Sequence, residues 1–217
     1  MEILPDFREW SAAAAKLFSA VESLPDSIPL EDVDFHFIPP EGSRIRCEVI
    51  INGKTTSHIS FEGRYFSPKA LADWFERILH PIQDREICPE FLDIHCNGER
   101  ARLIIVHSGW EPLTGNNGKG IHGQASLFAI HYRGESKVRL WCFCETRQFV
   151  ARLYLAIINA LDSYSDFFNN KSVWPSHSDF QCRAPLSPVE QIKQYLLSNS
   201  VKGILEYNDY YPPVREK

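Results

Sequence analysis

Asp34, His36, Arg46, Glu48, His58 and Ser60 are the residues with which this chain of 217 amino acids could most readily do chemistry. They sit in three short segments of alternating character. Val33, Phe35 and Phe37 alternate with Asp34 and His36; Ile45, Cys47, Val49 and Ile51 with Arg46 and Glu48; Ile59 and Phe61 with His58 and Ser60. A period of two puts the polar set on one face of a sheet and the apolar set on the other. An acid, an imidazole and a hydroxyl sharing a face are the parts of a nucleophilic triad. No G-x-S-x-G elbow accompanies them. The same residues equally describe the wet face of an antiparallel sheet. Two functional classes stay open on this ground: a hydrolase whose dispersed residues include Asp34, His36, His58 and Ser60, or a recognition surface on which Asp34 and Glu48 meet a partner.

Cys142-x-Cys144, with His95-Cys96 in a nearby strand, resembles half of a zinc site. Structural zinc is usually held by paired knuckles in turns, and the sequence has no second knuckle. Buried thiols acting as small hydrophobes account for the pattern, so neither a metal nor a cofactor is expected. The loop Gly115-Asn-Asn-Gly118-Lys119-Gly120 suggests a phosphate cradle. It lacks the P-loop spacing and the Ser or Thr after the lysine, and it leads into an expected strand instead of a helix. His107, His122, His131 and His177 show no ligand-pair spacing.

The elements that would position these residues follow from periodicity. Asp6-x-x-Glu9 is a capping box, and Phe7, Trp10, Ala14, Leu17, Phe18 and Val21 make one apolar face, predicting a helix over residues 6–23. The three alternating segments form a meander, with a turn at Pro39-Pro40-Glu41-Gly42 and a hairpin at Asn52-Gly53. Ser67-Pro68 then caps a helix with Leu71, Trp74, Phe75, Ile78 and Leu79 inward. A second meander runs through Leu92 to Cys96, a turn at Asn97-Gly98, Leu103 to Val106, and Gln124 to Tyr132, after which Val138 to Cys144 alternate as a strand. The period then changes. Thr146 is read as an N-cap, and Phe149, Val150, Leu153, Tyr154, Ile157, Ile158 and Leu161 form the wide apolar stripe of a core helix. Ser187-Pro188-x-Glu190 caps a last short helix through Leu197, and Val201 to Tyr207 reads as an edge strand.

The fold class expected is α+β, with antiparallel meanders each followed by a helix, an N-terminal helix and a short C-terminal helix. One domain over 1–217 is expected, with halves 28–80 and 90–168 and an extension over 170–217. Glu62-Gly-Arg64-Tyr-Phe66 and Glu145-Thr-Arg147-Gln-Phe149 both read E-x-R-x-F at a strand-to-helix junction, which raises a βββα/ββββα repeat.

Hydrophobic residues make up 44% and charged residues 24% of the chain, the balance of a globular protein with a sizeable core. A formal net charge of -5 argues against nucleic acid or anionic membrane as the main partner. No cationic, apolar leader opens the chain and no apolar run is long enough to span a bilayer, so a cytoplasmic location is expected. The expected function is a non-enzymatic protein-binding module, of the kind a bacterial immunity protein represents when it neutralises a toxin or nuclease domain by covering basic surface. Asp34, Glu48, Trp110, Glu111, Tyr207, Tyr210 and Tyr211 are the expected contact residues, because carboxylates complement basic surface and aromatics anchor interfaces.

Overall fold

Asn52 and Gly53 take φ of 50° and 75°, the left-handed pair that a tight two-residue hairpin requires. A computed structural model of the chain describes residues 30–62, 67–79, 87–96, 99–108, 125–132, 138–170, 186–197, 201–203 and 205. The expected helix over 6–23, the Asn97-Gly98 turn and the glycine-rich loop lie outside the described residues.

The architecture is α+β, with two antiparallel sheets. The first holds β1 (Val33–Glu41), β2 (Arg44–Ile51) and β3 (Lys54–Glu62) in that order. The second holds β4 (Ile87–Cys96), β5 (Glu99–Ser108), β6 (Ala125–Tyr132) and β7 (Val138–Glu145), also in order. Helix α1 (Pro68–Leu79) follows the first meander, and α2 (Thr146–Ser163) the second; α3 (Ser165–Asn169) and α4 (Pro188–Leu196) come after. The β1–β2 turn centres on Gly42, at φ 60°, a little beyond the two prolines; Pro39 and Pro40 fall within β1, where its register with β2 slips between Ile38 and Glu41.

Helix α2 packs one face against both sheets. Phe149, Val150, Leu153, Tyr154, Ile157 and Leu161 are buried, and Ile158 packs against the same core from a half-buried position. Phe149 joins the layers: its ring lies 5.3 Å from Phe35 on β1, 4.7 Å from Phe128 on β6 and 6.2 Å from Trp74 on α1. Alternation in β1 to β3 and the helical stripe thus feed one contiguous core.

Side chains close the exposed rims of the first sheet. Arg152 of α2 donates to the Val33 carbonyl at 3.1 Å and pairs with Asp32, while the Tyr164 hydroxyl donates to the Phe37 carbonyl at 3.4 Å. Phe35 N–H donates to the Asp34 carboxylate at 2.9 Å. On β3 the Tyr132 hydroxyl donates to the His58 carbonyl at 3.3 Å. Occupying these four rim groups weakens the template for pairing with another strand.

Two further expectations are corrected. The N-cap of α2 is Glu145, whose carboxylate accepts from Arg147 N and Gln148 N at 3.2 and 2.5 Å. Thr146 is instead the first helical residue, buried and hydrogen-bonded to the Ser126 hydroxyl at 2.5 Å. A carboxylate reaches two free amides at once, which a hydroxyl committed to β6 cannot do. The second correction concerns the expected edge strand from Val201. Residues 201–203 and 205 are helical, and Val201 and Leu205, four apart, both pack on the core, the spacing of one helix face. The α4 expectation holds: Ser187 and Glu190 form the reciprocal capping box, which also lowers the Glu190 carboxyl below its usual range.

Candidate functional site

The polar face of the first meander is organised as rows running across the three strands. His36 on β1, Glu48 on β2 and His58 on β3 are direct register partners. The Asn52-Gly53 turn pairs Ile51 with Lys54 and Ile50 with Thr55, a register that would set Glu48 across from Ser57. A bulge between Val49 and Ile50 shifts it by one, pairing Val49 with Ser57 and Glu48 with His58. Thr56 is the extra residue, and its hydroxyl donates to the Val49 carbonyl at 3.0 Å. The bulge is therefore what completes the row.

Within the row, Glu48 Oε2 stands 3.6 Å from His36 Nδ1, and Glu48 Oε1 stands 3.4 Å from His58 Nε2. One carboxylate is shared between two imidazoles, at separations longer than an ordinary N–H···O bond. The side chains of His36 and His58 are 66% and 54% exposed, whereas that of Glu48 is 26% exposed. Solvent thus reaches both rings from outside while the carboxylate sits between them. The next row pairs Ile38, Arg46 and Ser60, and Arg46 bonds Glu41 at 2.9 Å. Arg44 faces Glu62 at 3.6 Å. Positive and negative side chains alternate over the face, so its field is mixed.

The parts of a triad are present but separated. Asp34 lies opposite Ile50, and its carboxylate accepts from Phe35 N. Glu48, not Asp34, is the carboxylate beside the imidazoles. Ser60 is only 5% exposed and lies across from Arg46. Sequence reasoning placed these residues on one face; the non-local register decides which of them meet, and the signal for it, a bulge after a tight turn, has no distinct residue pattern.

Cys142 and Cys144 face the apolar core. Burial pushes the Cys142 thiol up to about 12, and burial raises Cys144 and Cys47 well above their ordinary value. Thiols held protonated are poor nucleophiles and poor metal ligands. The side chains of His95 and Cys96 lie outside the described residues. Among the described residues, no group of three or more His, Cys, Asp or Glu side chains is arranged to hold a metal ion. An apolar cavity of about 10 Å³ between the first sheet and α2, lined by Phe37, Ile45, Phe61 and Ala160 among others, has room for one water at most. It is a packing gap.

Trp110, Glu111, Tyr207, Tyr210 and Tyr211, expected as contact residues, lie outside the described residues, as does the loop of Gly115 to Gly120. Among the described residues no helix is long and apolar enough to cross a membrane. No protein-family model, no curated protein and no solved structure matches this chain.

Proposed function

We propose that this protein is a non-enzymatic binding module that recognises another protein, of the immunity type that neutralises a toxin by covering it. The observation that carries the reading is the openness of the charged face. Asp34, His36 and His58 stand exposed on the first sheet, with Glu48 half-buried between the imidazoles. A sheet face of this kind offers fixed charges at regular spacing to a flat partner, and the side chains bonded to its rims disfavour strand addition. The net charge of -5 adds a long-range preference for a basic partner such as a nuclease domain. A cytoplasmic setting belongs to the same reading.

The test is affinity purification of the full chain from its native cell, followed by calorimetry with whatever partner is retained. A stoichiometric basic protein is expected, bound less tightly by Asp34→Asn and Glu48→Gln, with affinity falling as salt rises. Recovery of no partner, or one indifferent to both substitutions, rejects this surface. The hydrolase alternative draws on one observation, the carboxylate beside an imidazole at Glu48 and His58, the pairing by which an acid orients a base. Turnover of a small ester by the purified chain that is lost in His58→Gln would favour it.

A further inference from the structure

The second sheet has two apolar faces, and the described core accounts for one. Leu92, Leu103, Ile105, Phe128, Ile130 and Cys142 face the contiguous core with the helices. The opposite face carries a cross-strand row of Phe91, Ile104, Ala129 and Trp141, with Leu127 and Phe143 paired beside it. Ile104, Leu127 and Ala129 are at most 1% exposed, yet they stand outside the contiguous core. At the sheet margins Trp141 and Phe143, whose rings meet edge to face at 6.1 Å, are half-buried. An apolar sheet face buried at its centre requires a covering layer.

We infer that the cover is the chain's own N-terminal segment, an amphipathic helix over residues 6–23 laid across the outer face of β4 to β7. Two observations select this occupant. First, the described chain starts at the free edge of this sheet: Glu31 N–H donates to the Phe143 carbonyl at 2.7 Å, which starts everything before it at the β7 margin, next to the outer face. Second, the sequence pattern supplies a matching surface, with Phe7, Trp10, Ala14, Leu17, Phe18 and Val21 on one side. The dimensions agree. Four strands span about 14 Å at their usual spacing, and a helix of that length is about 27 Å long. Residues 24–30 reach up to about 23–25 Å when extended, enough to bring the helix from the margin to the middle of the sheet. Hydrophobic burial on this side also explains why β5 and β6 read as near-continuous apolar runs instead of alternating, since strands covered on both faces need apolar residues at every position. Arg102, paired to Asp93 at 2.7 Å and set 5.0 Å over the Phe91 ring, marks the polar end of the face.

The experiment uses the full chain carrying the photo-crosslinking residue p-benzoylphenylalanine at Phe18, with the same residue at Lys16 as control. Irradiation followed by peptide mapping is expected to join position 18, within one molecule, to the outer face around Ile104, Leu127 or Trp141, and to leave position 16 unlinked to it. A crosslink between two copies, to any other part of the chain, or to nothing overturns the inference. A second measurement guards against local disruption by the bulky label. In full-length Leu17→Asp, hydroxyl-radical footprinting should show oxidation of Trp141 and Phe143 rising several-fold while Phe149 stays protected. Unchanged oxidation of Trp141 and Phe143 would also overturn it.

Discussion

Replacing Phe149 by alanine tests whether the two sheets are held by one shared core. Phe149 is 1% exposed and its ring meets Phe35, Phe128 and Trp74, which come from the first sheet, the second sheet and α1. Truncating a buried phenylalanine costs about 3–5 kcal/mol through lost burial and the cavity left behind. Against a total stability of about 5–15 kcal/mol, that is a large fraction. For a chain of this size it corresponds to a fall in Tm of roughly 6–20 °C. Urea unfolding followed by circular dichroism measures it, and an unchanged m-value would show that the loss is in the folded state. Pairing the substitution with Phe35→Ala in a double-mutant cycle should reveal a coupling of about 0.5–1.5 kcal/mol, the worth of an edge-to-face ring pair. A loss below about 1 kcal/mol, or two separate unfolding transitions in the unaltered chain, would refute the shared core.

Other perturbations give equally definite outcomes. Burial raises the Cys142 thiol from its ordinary value of 9.0 to about 12 and raises Cys144 and Cys47 as well, so the unfolded chain loses these protons at lower pH than the folded one. The folded state then binds more protons above pH 9, and the stability these thiols contribute is full below that point and lost as pH rises toward 12. Thermal melts from pH 8 upward should show a decline that is shallower in Cys142→Ala, compared with its own melt at pH 8; an identical slope would contradict the assignment. Iodoacetamide at neutral pH should leave Cys47, Cys142 and Cys144 unmodified in the folded chain and label them in urea, which peptide mass spectrometry reads directly. Glu145→Ala removes the α2 cap and should cost about 1 kcal/mol in urea unfolding, with Glu145→Asp costing less. Gly53→Ala should cost about 1–2 kcal/mol from backbone strain alone, because φ is 75° there and an added Cβ would meet nothing within 4 Å. Gly53→Asn should cost less by the same assay.

Local periodicity and punctuation already specify most of the elements. Alternation at Val33, Phe35 and Phe37 and at Ile45, Cys47 and Val49 matches buried strand faces, and the stripe from Phe149 to Leu161 matches the helix that both sheets share. Asn52-Gly53, Ser67-Pro68 and Ser187-Pro188-x-Glu190 each act where they stand, because turns and caps are completed within a few residues. The E-x-R-x-F echo shows the limit of such reading. Glu145 caps α2, whereas Glu62 faces Arg44 across the sheet and the cap of α1 is Ser67. The two glutamates hold different posts, and Arg64 and Phe66 lie outside the described residues.

What the linear chain determines on its own, then, is period: which residues turn inward, where the chain folds back, and where a helix starts. Tertiary structure alone decides register and layering. It puts Glu48 between His36 and His58 through a bulge at Thr56, assigns Asp34 to the β1 rim, and buries Ile104, Leu127 and Ala129 on a second face of the sheet. Those contacts join residues far apart in sequence, and a shift of one position in a strand pair costs little locally while changing every neighbour across it.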